Sequence, residues 1–321
     1  MLKINPLSTL YVGIDVSSKS NYVCALDFYK NKYINSSFAN NQPGAEELAL
    51  KILECLKEHP DITTIVAALE STSVYSIHIA NYLSSCEELM RFKPYVFVLN
   101  PKCTANYKKS YIGLGKSDPI DAFVIADFAR AGNIESEPWR GSQFLALKRL
   151  TRHRLHLVEC MTREKTYLVS NLYLKFSQLQ MLEGDDQPFC DIYGATSSSV
   201  LMEYFSPEEI LDSSEEDLIA FLAKKSRNRI KDISKTADLL KKAARDSYRL
   251  DKALYEPLNV SIASSFNCIE TFKREIKVID NAIEKEIKGL NPNAFIILQS
   301  IDGIGPVFAG GIIAEIGDIT A

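Results

Sequence analysis

Four carboxylates, Asp15, Glu70, Asp118 and Asp121, stand in settings unlike those of ordinary surface acids. Asp15 closes the apolar run Leu10-Tyr11-Val12-Gly13-Ile14, and a short β-rich run of this kind reads as a buried strand. An acid inside such a run is costly unless a metal or a hydrogen-bond donor holds it. Asp15 is therefore either a ligand on a central strand or a strand-end residue satisfied by its neighbours. Glu70 ends a second apolar strand, residues 63–69. The third element is Lys116-Ser117-Asp118-Pro119-Ile120-Asp121-Ala122. With Pro119 at the first helical position, Asp118 would be the N-cap and Asp121 would lie one turn on, on the same face. The same pattern is also an ordinary helix start. If the fold gathers the four acids, they cannot stay ionised together without cations. Two hard divalent ions, Mg²⁺ or Mn²⁺, would relieve that repulsion and serve phosphodiester cleavage.

The elements that must position these acids follow from hydrophobic patterning. Strand-like runs at 10–16, 21–28 and 33–38 are joined by short polar links and predict an antiparallel meander. A helix follows from Pro43 to about Glu58, then the strand ending on Glu70, a helix over 73–84, a strand over 95–99 and a helix over 119–131. This order, βββ-α-β-α-β-α, is that of a ribonuclease H-like α/β domain with a mixed sheet, here residues 1–140. From 141 to 290 the pattern is helical, and a nearly breaker-free stretch over 142–180 predicts one long helix, as part of a coiled-coil pair. Residues 183–199 read as a loop, followed by helices starting at Ser206 and Ser214 and helical stretches over 234–250 and 257–290. The last region, 291–321, carries Ile301-Asp302-Gly303-Ile304-Gly305-Pro306, which fits a helix, a Gly-X-Gly turn and a second helix. Such a turn either exposes backbone N–H groups to a phosphate or simply reverses the chain.

Composition narrows the function classes. The 321 residues carry a net charge of −4, so a nucleic-acid partner has to be argued from local clusters. Those exist: Lys116, Arg149, Arg152 and Arg154 lie beside or after the acids, with Tyr107, Tyr111 and Trp139 interleaved. They could contact a polyanion or form a solvated face. Seven cysteines without a CxxC pair argue against a zinc ribbon and for a reducing, cytoplasmic setting. Neither a signal peptide nor an apolar run of membrane-spanning length is evident. The stretch Gly113-Leu114-Gly115-Lys116-Ser117 lacks the first glycine of a nucleotide phosphate loop, because position 110 is serine.

Taken together, Gly13-Ile14-Asp15-Val16-Ser17, Leu69-Glu70-Ser71-Thr72, the Lys116–Ala122 motif, Ile301-Asp302-Gly303-Ile304-Gly305 and Ala314-Glu315-Ile316-Gly317-Asp318 resemble the insertion-sequence-110 transposases. The resemblance covers essentially the whole chain. It implies that Asp15, Glu70, Asp118 and Asp121 are the family's Asp-Glu-Asp-Asp metal-binding set. It implies DNA as substrate, a structured guide RNA, and a dimer or tetramer formed through the helical middle. It also implies a nucleophilic serine in a domain beyond the Gly303–Gly305 segment, where this chain ends. The expectation is a C-terminally shortened member whose metal site is intact and whose strand exchange is lost. The alternative is a non-catalytic DNA- or RNA-binding remnant or regulator.

Overall fold

The computed structural model describes residues 4–317. Two units are distinguished, Met1–Leu145 and Ala146–Ala321. In the first, β1 (Thr9–Val16), β2 (Ser20–Leu26) and β3 (Lys32–Ala39) form the antiparallel meander. After α1 (Gln42–Glu58), the strands β4 (Thr64–Glu70) and β5 (Pro94–Leu99) add in parallel on the other side of β1. Between them run α2 (Tyr75–Ser85) and the short α3 (Glu87–Met90). The sheet order β3-β2-β1-β4-β5 makes β1 central. This mixed five-stranded α/β architecture is consistent with a ribonuclease H-like fold. The second strand is shorter than its apolar pattern suggests. Asp27 leaves the ladder to accept from the Asn31 backbone N–H at 2.9 Å, and Lys30 turns the chain at φ 69°.

Alternation along each strand gives the sheet two distinct faces. Leu10, Val12 and Ile14 of β1 join Ile65, Ala67 and Leu69 of β4 under α1, α2 and α3. Tyr11, with Val66 and Ala68 of β4, packs instead against the helix α5 (Asp118–Arg130). Before α5 comes α4 (Pro101–Lys108), an element the sequence reading had passed over. Asn100 caps it, accepting from the Lys102 N–H at 2.9 Å, and Pro101 opens it. Gly13 sets the approach of α5. A Cβ there would lie 2.2 Å from the Ala122 carbonyl oxygen and 2.3 Å from the Ala126 nitrogen. The helix backbone therefore rests directly on β1.

The second unit is helical. The long helix α6 (Ser142–Lys175) ends five residues earlier than expected, where Phe176 leaves helical geometry. Next come α7 (Ala195–Glu203), α8 (Pro207–Asp212), α9 (Glu215–Ser226) and α10 (Ile233–Asp246). The helix α7 starts inside the stretch read as loop. Within it, the Ser198 and Ser199 hydroxyls donate back to the Ala195 carbonyl. The helix α11 (Lys252–Leu290) starts before Pro257, capped by Asp251. It is followed by α12 (Pro292–Gln299) and α13 (Pro306–Ile316). Along α6 and α11, Arg154 pairs with Asp280 and Lys175 donates to Asn259. The separation is 21 residues on each helix and opposite in direction, so the two run antiparallel with a heptad-compatible register. Leu168 and Leu172 meet Ile262, Phe266 and Ile269 in the core between them. The partner of α6 in this pair is thus α11 of the same chain. Lys175 is buried. Its ammonium also donates to the carbonyls of Leu201 at 2.7 Å and Tyr204 at 2.6 Å, and burial lowers its pKa to about 8.

The Gly13 contact gives a paired test by urea denaturation. Gly13→Ala should lose about 3 kcal/mol or more, because backbone atoms on two elements must move apart. Gly311→Ala, in α13 where an added Cβ meets nothing within 4 Å, should instead gain about 0.5–1 kcal/mol from reduced chain entropy.

Candidate active site

The four acids meet at one end of the sheet, on the face covered by α4 and α5. In the parallel pair β1–β4, Ile14 stands opposite Leu69. Asp15 and Glu70 are the next residues along, so both turn to the opposite face from that pair. Glu70 is fixed by the buried Thr104 of α4, whose Oγ1 donates to Oε1 at 2.5 Å. Asp118 and Asp121 lie in the first turn of α5, where the positive helix end favours carboxylates. The cap differs by one residue from the expected one. Ser117 is the N-cap, since its carbonyl accepts from the N–H groups of Ile120 and Asp121, each at 2.9 Å. Asp118 is then the first helical residue, and the i, i+3 spacing still keeps both acids on one side.

Electrostatics shows that the four share one field. The Asp15 carboxyl is pushed up to about 6, first by burial and then by the charges of Asp121, Asp118 and Glu70; Lys108 partly offsets them. The Lys108 ammonium is ion-paired with Asp121. Among the described residues, no group of three His, Cys, Asp or Glu side chains is arranged to hold a metal ion. The acids are thus assembled at one site without closing into a coordination shell. Their chemistry nevertheless fits a hard divalent cation: the donors are all carboxylate oxygens, they repel one another, and an ammonium already neutralises one of them.

One acid in this region was missed by the sequence reading. Asp127 of α5 is fully buried. It accepts from Arg130 Nε at 2.6 Å, Tyr107 Oη at 2.8 Å and Lys30 Nζ at 3.3 Å, and also from Tyr111. Burial alone would raise its pKa, yet these donors hold it below the usual carboxylate range. The hydroxyls of Tyr107 and Tyr111 are therefore committed to Asp127. Trp139 likewise donates its indole N–H to Asn81 at 2.7 Å and packs beside the core.

The basic candidates are dispersed. Lys116 is exposed in the loop before α5, and Arg149 is exposed on α6; neither makes an ion pair among the described residues. Arg152 donates to Glu315 through Nε at 3.0 Å, and Lys148 pairs with the same carboxylate at 2.8 Å. Arg154 is paired with Asp280. Two residues apart on a helix, Arg152 and Arg154 point about 200° from each other, so the three arginines do not form one face. Gly303 has φ 88°, and Gly305 is the N-cap of α13, with Ile304 N–H closing the turn onto the Ile301 carbonyl at 3.0 Å. Asp318, the end of the last motif, lies outside the described residues.

The mixed α/β sheet brings Asp15, Glu70, Asp118 and Asp121 toward one end, a set of hard oxygen donors. A family profile described as a transposase of the Asp-Glu-Asp-Asp, insertion-sequence-110 type matches residues 12–177, from β1 past the end of α6. That is just over half the chain, and it includes all four acids; the chain belongs to this transposase family. No curated protein matches it significantly. Among the described residues, no helix is long and apolar enough to cross a membrane.

The raised Asp15 carboxyl predicts a pH-dependent effect in metal-free protein. Its native pKa of about 6 lies above the ordinary 3.8, so ionised Asp15 opposes folding. That opposition is absent below pH 3.8, grows between 3.8 and 6, and is complete above 6. Asp15→Asn should therefore raise the melting temperature at pH 8 in EDTA and change it little near pH 4. A stabilisation that is equal at both pH values would show that the charge cluster is not its source.

Proposed function

We propose that Asp15, Glu70, Asp118 and Asp121 form a DNA-cleaving centre that works with Mg²⁺ or Mn²⁺. The carrying observation is the single electrostatic field in which the other three carboxylates act on Asp15. Bound there, divalent ions would activate an attacking oxygen and stabilise the leaving one. The chain's own contribution is placement. Asp15 and Glu70 are carried on paired strands, Thr104 holds the Glu70 carboxylate, and Asp118 and Asp121 are carried on a helix start seated directly on β1. Placement of this kind lowers the cost of gathering the carboxylates around a cation, leaving the side chains to close into a coordination shell.

The same reading takes DNA as substrate, a structured guide RNA as the source of target choice, and a dimer or tetramer as the working form, in a cytoplasmic setting. Family membership supports DNA, and the resemblance supports the guide. Lys116, Arg149, Arg152 and the Gly303–Gly305 turn are its phosphate contacts, while Arg154 is held by Asp280; Arg149 and Lys116 are the most available, since among the described residues no carboxylate engages them. The turn offers the free N–H groups at the start of α13.

The test is nicking of supercoiled plasmid and of branched DNA. Nicking should require Mg²⁺ or Mn²⁺ and fall by at least about a hundredfold in Asp15→Asn or Asp118→Ala, while binding at low salt persists in both. Cation-independent nicking, or nicking unaffected by these changes, would overturn the reading. Salt-sensitive binding without any nicking would favour the non-catalytic alternative. A second measurement separates the arginines. Arg149→Ala should reduce the slope of log affinity against log salt by about 0.9, the loss of one duplex phosphate contact. Arg154→Ala should mainly lower the melting temperature, because it leaves Asp280 unpaired.

A further inference from the structure

We infer that Lys108 is a tethered counter-ion that competes with the divalent cation for Asp121. The inference rests on the metal-centre reading above and deepens it. Lys108 stands on the last turn of α4, and its ammonium pairs with Asp121; the two side chains are only 22% and 24% exposed. It is no wandering surface lysine. Thr104 and Tyr107, four and one residues before it, are tied to Glu70 and to the buried Asp127 respectively. Positions 104, 107 and 108 share one side of the helix. Both anchors therefore press the same face of α4 onto the acidic site and deliver the Lys108 stem to it.

The consequence follows from charge. Like charges crowd this partly buried site, and Lys108 offsets part of the repulsion that the other carboxylates exert on Asp15. In metal-free protein it supplies one positive charge where the assembled acids call for more. A divalent ion that takes Asp121 as a ligand must displace the ammonium, so part of its binding energy goes into breaking this pair. Lys108 thereby weakens divalent affinity while steadying the assembled acids. Once displaced, the ammonium stays within one side-chain length of the acids.

The experiment measures Mn²⁺ binding to the full chain by electron paramagnetic resonance, with melting temperature as a second readout. Lys108→Met should bind Mn²⁺ about fivefold more tightly than wild type, the effect of a partly exposed ion pair. It should also melt lower in EDTA, and the deficit should close at saturating Mn²⁺. Lys108→Arg, which keeps the charge, should bind no more tightly than wild type. In an Asp121→Asn background, Lys108→Met should bring no gain in affinity. If wild type binds Mn²⁺ and Lys108→Met binds it equally or more weakly, the competition is refuted while the metal centre stands. If neither binds Mn²⁺, and Asp15→Asn is indistinguishable from both, the metal centre falls and this inference falls with it.

Discussion

In the first unit two backbones lie so close, β1 at Gly13 and α5 at Ala122 and Ala126, that no Cβ fits between them. Everything chemical in the first unit depends on it. A helix normally stands off a sheet by the thickness of interleaved side chains, near 10 Å. Glycine on the strand and alanine on the helix remove that spacer, so the first turn of α5 comes down beside the end of β1. Asp118 and Asp121 then reach the vicinity of Asp15 instead of projecting past it. The glycine two residues before the first acid and the alanine directly after the last are thus part of one device.

This closeness has an electrostatic cost that the fold offsets locally. Three carboxylates act on Asp15, and its ionised form opposes the native state above pH 6. Functional sites commonly hold such tension, with compensation nearby. Here the compensation comes from α4: Thr104 satisfies Glu70 and Lys108 neutralises Asp121. Behind them the Asp127 network, with two tyrosines, an arginine and a lysine on one buried carboxylate, clamps α4 and α5 to each other. A buried acid so fully donated to is stable as an anion. The molecule therefore contains two acidic centres with opposite design, both drawing on α5: Asp127 saturated with donors, and the Asp15 cluster left short of them.

How much of this could be read beforehand depended on the range of the interactions. The meander, the central position of β1 and the four acids were legible because alternation and helix-start chemistry are local signals. The helix α4 was marked by Asn100-Pro101 and was still overlooked, and with it the role of Thr104. Asp127 reads as an ordinary mid-helix acid, since its partner Lys30 is 97 residues away. Arg152 and Arg154 looked available for the same reason: Glu315 and Asp280 lie 163 and 126 residues further on. Lys175 closes a long helix, where a lysine usually faces solvent and the helix dipole. The docking of α7 and α11 against it explains its burial.

The second unit shows why charge counts along a helix are poor guides to a binding surface. On α6 each arginine's role is decided by the helix packed against that side. Arg154 turns toward α11 and closes a heptad-spaced seam that Lys175 closes again three heptads later, so its charge serves registration. Arg152 and Lys148 share Glu315 of α13, which spends two cations on one carboxylate and leaves net positive charge there. Among the described residues, Arg149 engages no carboxylate. A polyanion approaching α6 would thus meet a graded surface: one free guanidinium, one shared carboxylate whose cations are partly available, and one pair committed to the fold. That gradation follows from where α11 and α13 supply acids, which makes the acidic residues of the second unit, as much as its arginines, the determinants of what α6 can hold.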